Sequence, residues 1–231
     1  MDFIEVTPRL HMLRFSIGQA YLWQDADELT LIDAGWSGAA SEIGDALRAR
    51  DLDPANIRRI VLTHCHRDHV GASEELAVRY GCTVLAHHLD APVIRGQEPV
   101  PEPVLLDWER PLYEHGLSVP EAPPTRVDRE LSDGDELDFG DGARVIHTPG
   151  HTDGSMAIHL PRYGVLFTGD TVASVQKVSL GVFHVDRQQA KASMRRLAAL
   201  EPDVVCVGHG EPLTRDAATL LTEAAGRDAA S

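Results

Sequence analysis

Cysteine is scarce in this chain: three in 231 residues, at positions 65, 82 and 206, with no CxxC pair. That is too few and too dispersed for a disulfide framework, and it points to free thiols in a reducing compartment, with a cytoplasmic location expected. Long apolar runs are missing as well. No stretch approaches the roughly 20 residues that span a bilayer, and the first residues carry Asp2 and Glu5 where a secretory signal would have an unbroken apolar core. A membrane partner is therefore not expected. Basic charge is short too: 21 Lys and Arg against 36 Asp and Glu give a formal net charge of −15, and no cluster of basic and aromatic residues offsets it locally. Such a surface repels phosphate backbones, so nucleic acid is excluded as an expected partner. Short-period repeats are absent, which excludes solenoids. What remains, 43% hydrophobic and 25% charged residues, suits one soluble domain over residues 1–231 with a sizeable core.

The chain does have histidine in a pattern. His64-Cys65-His66-Arg67-Asp68-His69 gathers three imidazoles and a carboxylate in one short segment. It follows the β-branched run Ile60 to Thr63, which reads as a buried strand, and precedes residues 70–80, where Ala72, Leu76, Ala77 and Tyr80 have helical spacing. The motif therefore falls on a strand-to-helix turn. On extended backbone His64 and His66 point to the same side and can share one ion, while Asp68 and His69, past the bend, can reach a second position. Neutral imidazole is the commonest zinc ligand, and a carboxylate adds the oxygen donor and negative charge that a second divalent ion needs. Cys65, between two ligands, is read as structural, because a thiolate beside zinc becomes a ligand and not a nucleophile.

Three distant residues fit the same chemistry. His151 lies in Thr148-Pro149-Gly150-His151, Asp170 follows Phe167-Thr168-Gly169, and His209 sits between Gly208 and Gly210. Each is expected at the glycine-adjacent end of a strand. On these residues the sequence resembles the metallo-β-lactamase superfamily, in its binuclear hydrolase branch with glyoxalase II-like and lactonase-like enzymes, over most of the chain. The resemblance implies that His64, His66 and His151 hold one metal, that Asp68, His69 and His209 hold a second, and that Asp170 bridges both. Asp33, at the end of the early strand Leu29 to Asp33, matches a family acid that the resemblance implies holds a ligand imidazole through its distal N–H; an ordinary strand-to-helix cap is the other reading.

The implied cofactors are two divalent ions, zinc first, with iron or manganese as alternatives. Two such ions bring the pKa of a shared water to about 7, so the metal-bound water is the expected nucleophile, with Asp68 as the catalytic residue that orients it. The implied activity is hydrolysis of a small-molecule thioester, ester or lactone. An iron-dependent oxidoreductase of the same fold, such as a persulfide dioxygenase, and a phosphodiesterase are the alternatives. A glutathione thioester is not favoured, since the helical domain with its basic residues that the resemblance associates with that substrate finds no match after His209. A lactonase-type tyrosine has no match in Thr171 to Val175. The bridging Asp170 argues against a β-lactamase.

Elements are expected as strands at 3–6, 10–15, 20–24, 29–33, 57–63, 82–86, 136–139, 144–147, 156–160, 165–168 and 203–207. Helices are expected at 37–50, capped by Ser37 or Ser41, and at 70–80, 187–200 and 213–225. Two strand-rich halves with covering helices suggest an α+β protein, the four-layer αββα sandwich that the resemblance implies, with the metal site at one edge. Residues 89–129 break the pattern. They hold Pro92, Pro99, Pro101, Pro103, Pro111, Pro120, Pro123 and Pro124, eight of the 14 prolines, so neither a regular sheet nor a long helix fits throughout. A short helix over 105–117 would carry Leu105, Leu106, Trp108, Leu112, Tyr113 and Leu117, expected to wall the substrate pocket or to form a homodimer contact. Trp108, Lys177 and His184 are the candidate substrate contacts.

Overall fold

The alternation of apolar residues in the first third of the chain folds as an antiparallel meander: β1 (Asp2–Thr7), β2 (Leu10–Arg14), β3 (Gln19–Gln24) and β4 (Leu29–Ile32). The computed structural model describes residues 1–229 and forms two compact units, Met1–Val100 with Leu117–Leu131 and Pro101–Gly116 with Ser132 onward. In the first unit the meander continues as a single seven-stranded sheet. β5 (Ile57–Leu62), β6 (Thr83–His87) and β7 (Arg129–Leu131) add to it in parallel. Parallel neighbours need crossover connections, and these carry α1 (Ala40–Arg48) between β4 and β5, then α2 (Arg67–Val70) and α3 (Ser73–Tyr80) between β5 and β6. The short α4 (Ala91–Ile94) follows β6.

Packing follows from the strand period. Leu13, Leu22, Leu31, Ile60, Leu62 and Val84 form one apolar cluster with Ile43 and Leu47 of α1 and Leu76 of α3. Each such side chain, fully buried, contributes roughly 1.5–3 kcal/mol. The alternate residues Met12, Tyr21, Trp23, Val61 and Leu85 are buried as well, so the sheet is apolar on both faces. That is why β4 and β5 read as near-continuous apolar runs. The parallel register sets Ile32 opposite Val61, and Asp33 N–H then bonds the Val61 carbonyl at 3.0 Å. The residues leaving the ends of β4 and β5 are thereby side by side.

In the second unit α5 (Arg110–Gly116) precedes a sheet ordered β8 (Glu136–Leu137), β9 (Ala143–His147), β10 (Met156–Leu160), β11 (Val165–Ser174) and β12 (Ser179–Leu180). β13 (Val204–Gly210) pairs in parallel with β11. α6 (Arg187–Ala198) begins at Asp186, whose side chain caps the N–H groups of Gln188 and Gln189; α7 (Ala217–Ala229) ends the described chain. Leu166, Val172, Met194, Leu197, Val205, Val207 and Leu221 form its core.

Several expectations need correction. The helix expected over 37–50 covers only 40–48, and its N-cap residue is Ala39 without a side-chain bond, so neither Ser37 nor Ser41 caps it. The helix expected over 70–80 covers only Ser73–Tyr80, since α2 ends at Val70 and Ala72 is the N-cap of α3; the Trp36–Ser37 backbone packs on Gly71 between them. Asp170 lies within β11 and not at a strand end. Gly169, at φ +50, shifts the register with β13 without ending the strand. The last helix starts at Ala217, since Leu213 is drawn into a bridge with Val205. β7 and β12, too short to show periodicity, were not expected. Residues 89–129 are divided between the two units; they hold α4, and the helix expected over 105–117 is confined to Arg110–Gly116. The apolar set there is left largely in solvent: Leu106, Trp108, Leu112 and Leu117 are all exposed, whereas Glu109 is fully buried.

A methyl group at Gly71 would stand 2.2 Å from Ser37 N and 2.4 Å from the Trp36 carbonyl carbon, both backbone atoms with no rotamer to yield. Gly71→Ala is expected to destabilise the protein by about 3 kcal/mol, the upper end of overpacking costs. Urea unfolding of the two proteins checks this; a difference below about 1 kcal/mol would show that the backbone shifts freely there.

Candidate functional site

One carboxylate organises the HxHxDH segment. Asp33 leaves β4 in left-handed backbone (φ 62), which aspartate tolerates better than most residues. Its Oδ1 accepts the Thr63 backbone N–H at 2.7 Å. Its Oδ2 accepts the Thr63 hydroxyl at 2.8 Å and His69 Nδ1–H at 2.8 Å. Having given its proton to Asp33, the Thr63 hydroxyl accepts from His64 Nδ1–H at 3.0 Å. A group that only accepts thus fixes the tautomer of His69 directly and of His64 through one hydroxyl, so that the lone pair of each ring is on Nε2. Asp33, Thr63, His64 and His69 are all buried.

α2 begins immediately after His66, whose carbonyl accepts the N–H groups of His69 and Val70. This tight turn brings the imidazoles together: the rings of His64 and His69 are 4.1 Å apart between centroids, and those of His64 and His66 are 4.8 Å apart, edge to face. Asp68 Oδ2 is 3.6 Å from His69 Nε2. Cys65 is buried and forms no disulfide. Burial pushes the Cys82 thiol up to about 11 and that of Cys206 well above the usual range, so neither offers a thiolate near neutrality.

The second unit gathers His151, Asp170 and His209. Asp170 Oδ2 is 3.2 Å from His209 Nε2 and 3.7 Å from His151 Nε2. His151 Nδ1–H donates to the Val182 carbonyl at 2.9 Å, which again leaves the lone pair on Nε2. The loop that presents His151 is pinned by Gly150 at φ +124: a side chain there would meet Ala190 N at 2.2 Å, so only glycine lets α6 approach this closely. The Gly150 and His151 carbonyls accept the N–H groups of Asp186 and Val185, which ties the loop to the residues leading into α6.

The candidate substrate contacts fare differently. His184 is fully buried, with its Nε2 2.9 Å from the Gly181 carbonyl oxygen and its ring edge-on to His151 at 5.6 Å. Burial pushes its pKa down to about 4, so it is neutral at pH 7. It supports the His151 loop and presents no surface to a substrate, which corrects the expectation. Trp108 and Lys177 are exposed. The buried residue of the 101–116 segment is Glu109, which pairs with Arg187 Nη2 at 2.6 Å and also accepts the Leu106 N–H. No pattern in the sequence marks this pair. Thr63 was also overlooked, although two parallel strands ending beside each other were enough to set it against Asp33.

The donor set fits divalent metal. Each of the seven residues His64, His66, Asp68, His69, His151, Asp170 and His209 offers one imidazole nitrogen or carboxylate oxygen suited to an ion. Three of the imidazoles have Nδ1 already held by a protein acceptor, as metal-ligating histidines do.

A model of the metallo-β-lactamase superfamily matches residues 13–209. The chain belongs to this superfamily. It is 30% identical to the probable metallo-hydrolase YflN of Bacillus subtilis, over 96% of this chain and 92% of that one. It is 32% identical to a hydroxyacylglutathione hydrolase of Cereibacter sphaeroides, over 82% of this chain but 61% of that one, so it spans less than two thirds of this relative. Among solved structures it is similar to a metallo-β-lactamase family protein of Thermus thermophilus, with a TM-score of 0.70 at 24% identity over 96% of this chain and 79% of that one. A metallo-β-lactamase of Cronobacter sakazakii gives a TM-score of 0.73 at 20% identity, over 100% of this chain and 92% of that one. The fold is accordingly the superfamily's mixed α+β fold with two sheets and several helices. Among the described residues no helix is long and apolar enough to cross a membrane.

Asp33→Asn keeps a residue that tolerates left-handed backbone but puts a neutral amide where the charged acceptor of His69 Nδ1–H stood. Zinc affinity is expected to fall roughly 10–100-fold, the usual cost of losing a ligand's supporting partner, with the circular dichroism spectrum unchanged. Competition with a chromophoric chelator measures it. Wild-type affinity would mean that Asp33 serves the backbone turn alone.

Proposed function

We propose that this protein is a dinuclear metal-dependent hydrolase of small thioesters, esters or lactones. The reading rests on one observation above the others: His64, His69 and His151 are each held at Nδ1 by a protein acceptor and so present Nε2 as a donor. In this reading His64, His66 and His151 hold one ion and Asp68, His69 and His209 the other, with Asp170 shared between them. When bound, two divalent ions, zinc first, polarise the scissile carbonyl and lower the pKa of a water in the site to about 7. Asp68 orients that water in addition to its role as ligand. Asp170 supplies the negative charge that lets two cations sit close together, and its buried setting keeps that charge effective.

Superfamily membership supports metal-dependent hydrolysis, and the names of the relatives support a thioester more than any other bond. None of the three cysteines takes part: all are buried, so no acyl-enzyme on a thiol is proposed. Free thiols also favour a cytoplasmic location.

Two measurements test the reading. Protein isolated without added metal is expected to carry two zinc ions per chain, and to hydrolyse at least one of a panel of thioesters, lactones and aryl esters. Dipicolinate removal of metal abolishes this activity and zinc restores it. One iron per chain with oxygen consumption would overturn the proposal in favour of an oxidoreductase. Asp170→Asn is expected to keep the fold, lose most of the second metal and lower kcat by at least 100-fold; a variant with both metals and wild-type turnover would show that Asp170 does not bridge.

A further inference from the structure

The first unit contains a cavity of about 150 Å³ lined by Ser16, Ile17, Trp36, Ser118, Val119 and Pro120. Its three walls come from distant parts of the sequence, and each is fastened to α2 or its ends, the turn that carries Asp68 and His69. The β2–β3 turn forms the first wall. It is closed by Phe15 N–H on the Gly18 carbonyl, and Gly18 lies against the metal-loop carboxylate, so that a methyl group there would stand 3.2 Å from Asp68 Oδ2. Trp36 forms the second wall. Its backbone is packed on Gly71, and two residues earlier Ala34 N–H bonds the His69 carbonyl at 2.8 Å. The third wall is the segment 118–120, held where the Arg67 guanidinium donates to the Val119 carbonyl at 3.1 Å. Three unrelated segments thus converge on one turn, the turn that carries Asp68, although Asp68 itself does not line the cavity.

The lining also has a chemistry. Ile17, Trp36, Val119 and Pro120 are apolar, Ser16 and Ser118 add hydroxyls, and none of the six side chains ionises near neutrality. The cavity opens to solvent where Ser16, Ser118 and Pro120 are exposed, and none of its own side chains offers a charged group an ionic partner. Its volume of about 150 Å³ has room for a group the size of benzene. We propose that this cavity is the acyl subsite of the enzyme and selects uncharged acyl groups of up to about six carbons. This rests on the hydrolase reading given above.

The test uses the zinc-loaded protein and a series of p-nitrophenyl esters and thioesters from acetyl to dodecanoyl. kcat/KM is expected to rise by about 4-fold per methylene, the value of burying one, up to about six carbons, and then to level off or fall. Ile17→Trp, which fills the cavity, is expected to lower the ratio of hexanoyl to acetyl kcat/KM at least 10-fold; Trp36→Ala, which enlarges it, moves the optimum to longer chains. Chain-length profiles in both variants that parallel the wild type overturn the subsite. Binding of 1-hexanol, followed by NMR through the backbone signals of residues 16–18 and 118–120, separates this outcome from failure of the hydrolase reading. Shifts at those residues that Ile17→Trp abolishes, in a protein that cleaves no ester or thioester, keep the cavity as an apolar binding site and remove the enzyme reading. Shifts elsewhere or none, with hydrolysis intact, remove the subsite and keep the enzyme.

Discussion

The carboxylate of Asp33 is the constraint on which the first unit's chemistry depends. It is buried at a strand end in left-handed backbone and takes three hydrogen bonds, two from Thr63 and one from His69. Each bond does a different task. The Thr63 N–H bond locks the ends of β4 and β5 together, the hydroxyl bond passes the constraint to His64, and the imidazole bond orients His69. A buried carboxylate is costly unless its oxygens are satisfied, and here the groups that satisfy it are those whose geometry matters for ligation. Stability and site geometry therefore draw on the same few atoms, and the orientation of two rings is set by acceptors of the protein itself.

The second unit reaches the same end by different means. His151 is oriented by a backbone carbonyl, that of Val182, and the segment bearing this carbonyl runs on through buried His184 to Arg187. There it is fastened to the 101–116 segment by the pairing of Arg187 with buried Glu109, and by the Val104 N–H on the His184 carbonyl. Leaving the fully buried Glu109 carboxylate without its partner is strongly unfavourable, so this contact fixes where the segment docks more than it adds to stability. Glu109 is buried while Leu106, Trp108 and Leu112 around it are exposed, which inverts the usual order of burial. The Glu109–Arg187 ion pair, the Val104 backbone bond and the edge-on contact of Tyr113 with Phe183 together hold this segment.

This inversion explains what could be read from the sequence and what could not. The strand-rich halves and the turn bearing His64 to His69 follow from period and spacing, which record packing directly. Helix ends differ from expectation where a tertiary contact overrides local preference, as at Leu213, which pairs with Val205 and so leaves the last helix to start at Ala217. The burial of Glu109 and His184 left no local signal, because a charge or a ring goes inside only when a specific distant partner is present. Candidate ligands were legible because imidazole and carboxylate donors must occur at spacings that backbone geometry allows; substrate contacts were not, since an exposed tryptophan or lysine looks the same in sequence whether or not it meets a ligand.

Charge bears on the substrate in two ways that act at different distances. The net charge of −15 slows the approach of anions, but at physiological salt this reaches only about 8 Å, so it bears on encounter more than on discrimination. At contact, selection depends on desolvation. The lining from Ser16 to Pro120 carries no ionised side chain, so an ionised group seated there gives up part of its hydration with no counter-charge from the lining in return. A pair of dications held beside Asp68, as proposed above, would attract negative charge locally, against the sign of the surface as a whole. On the proposed reading, the acidic surface and a lining without ionised side chains then act in the same direction, against an anionic group anywhere but at the metals.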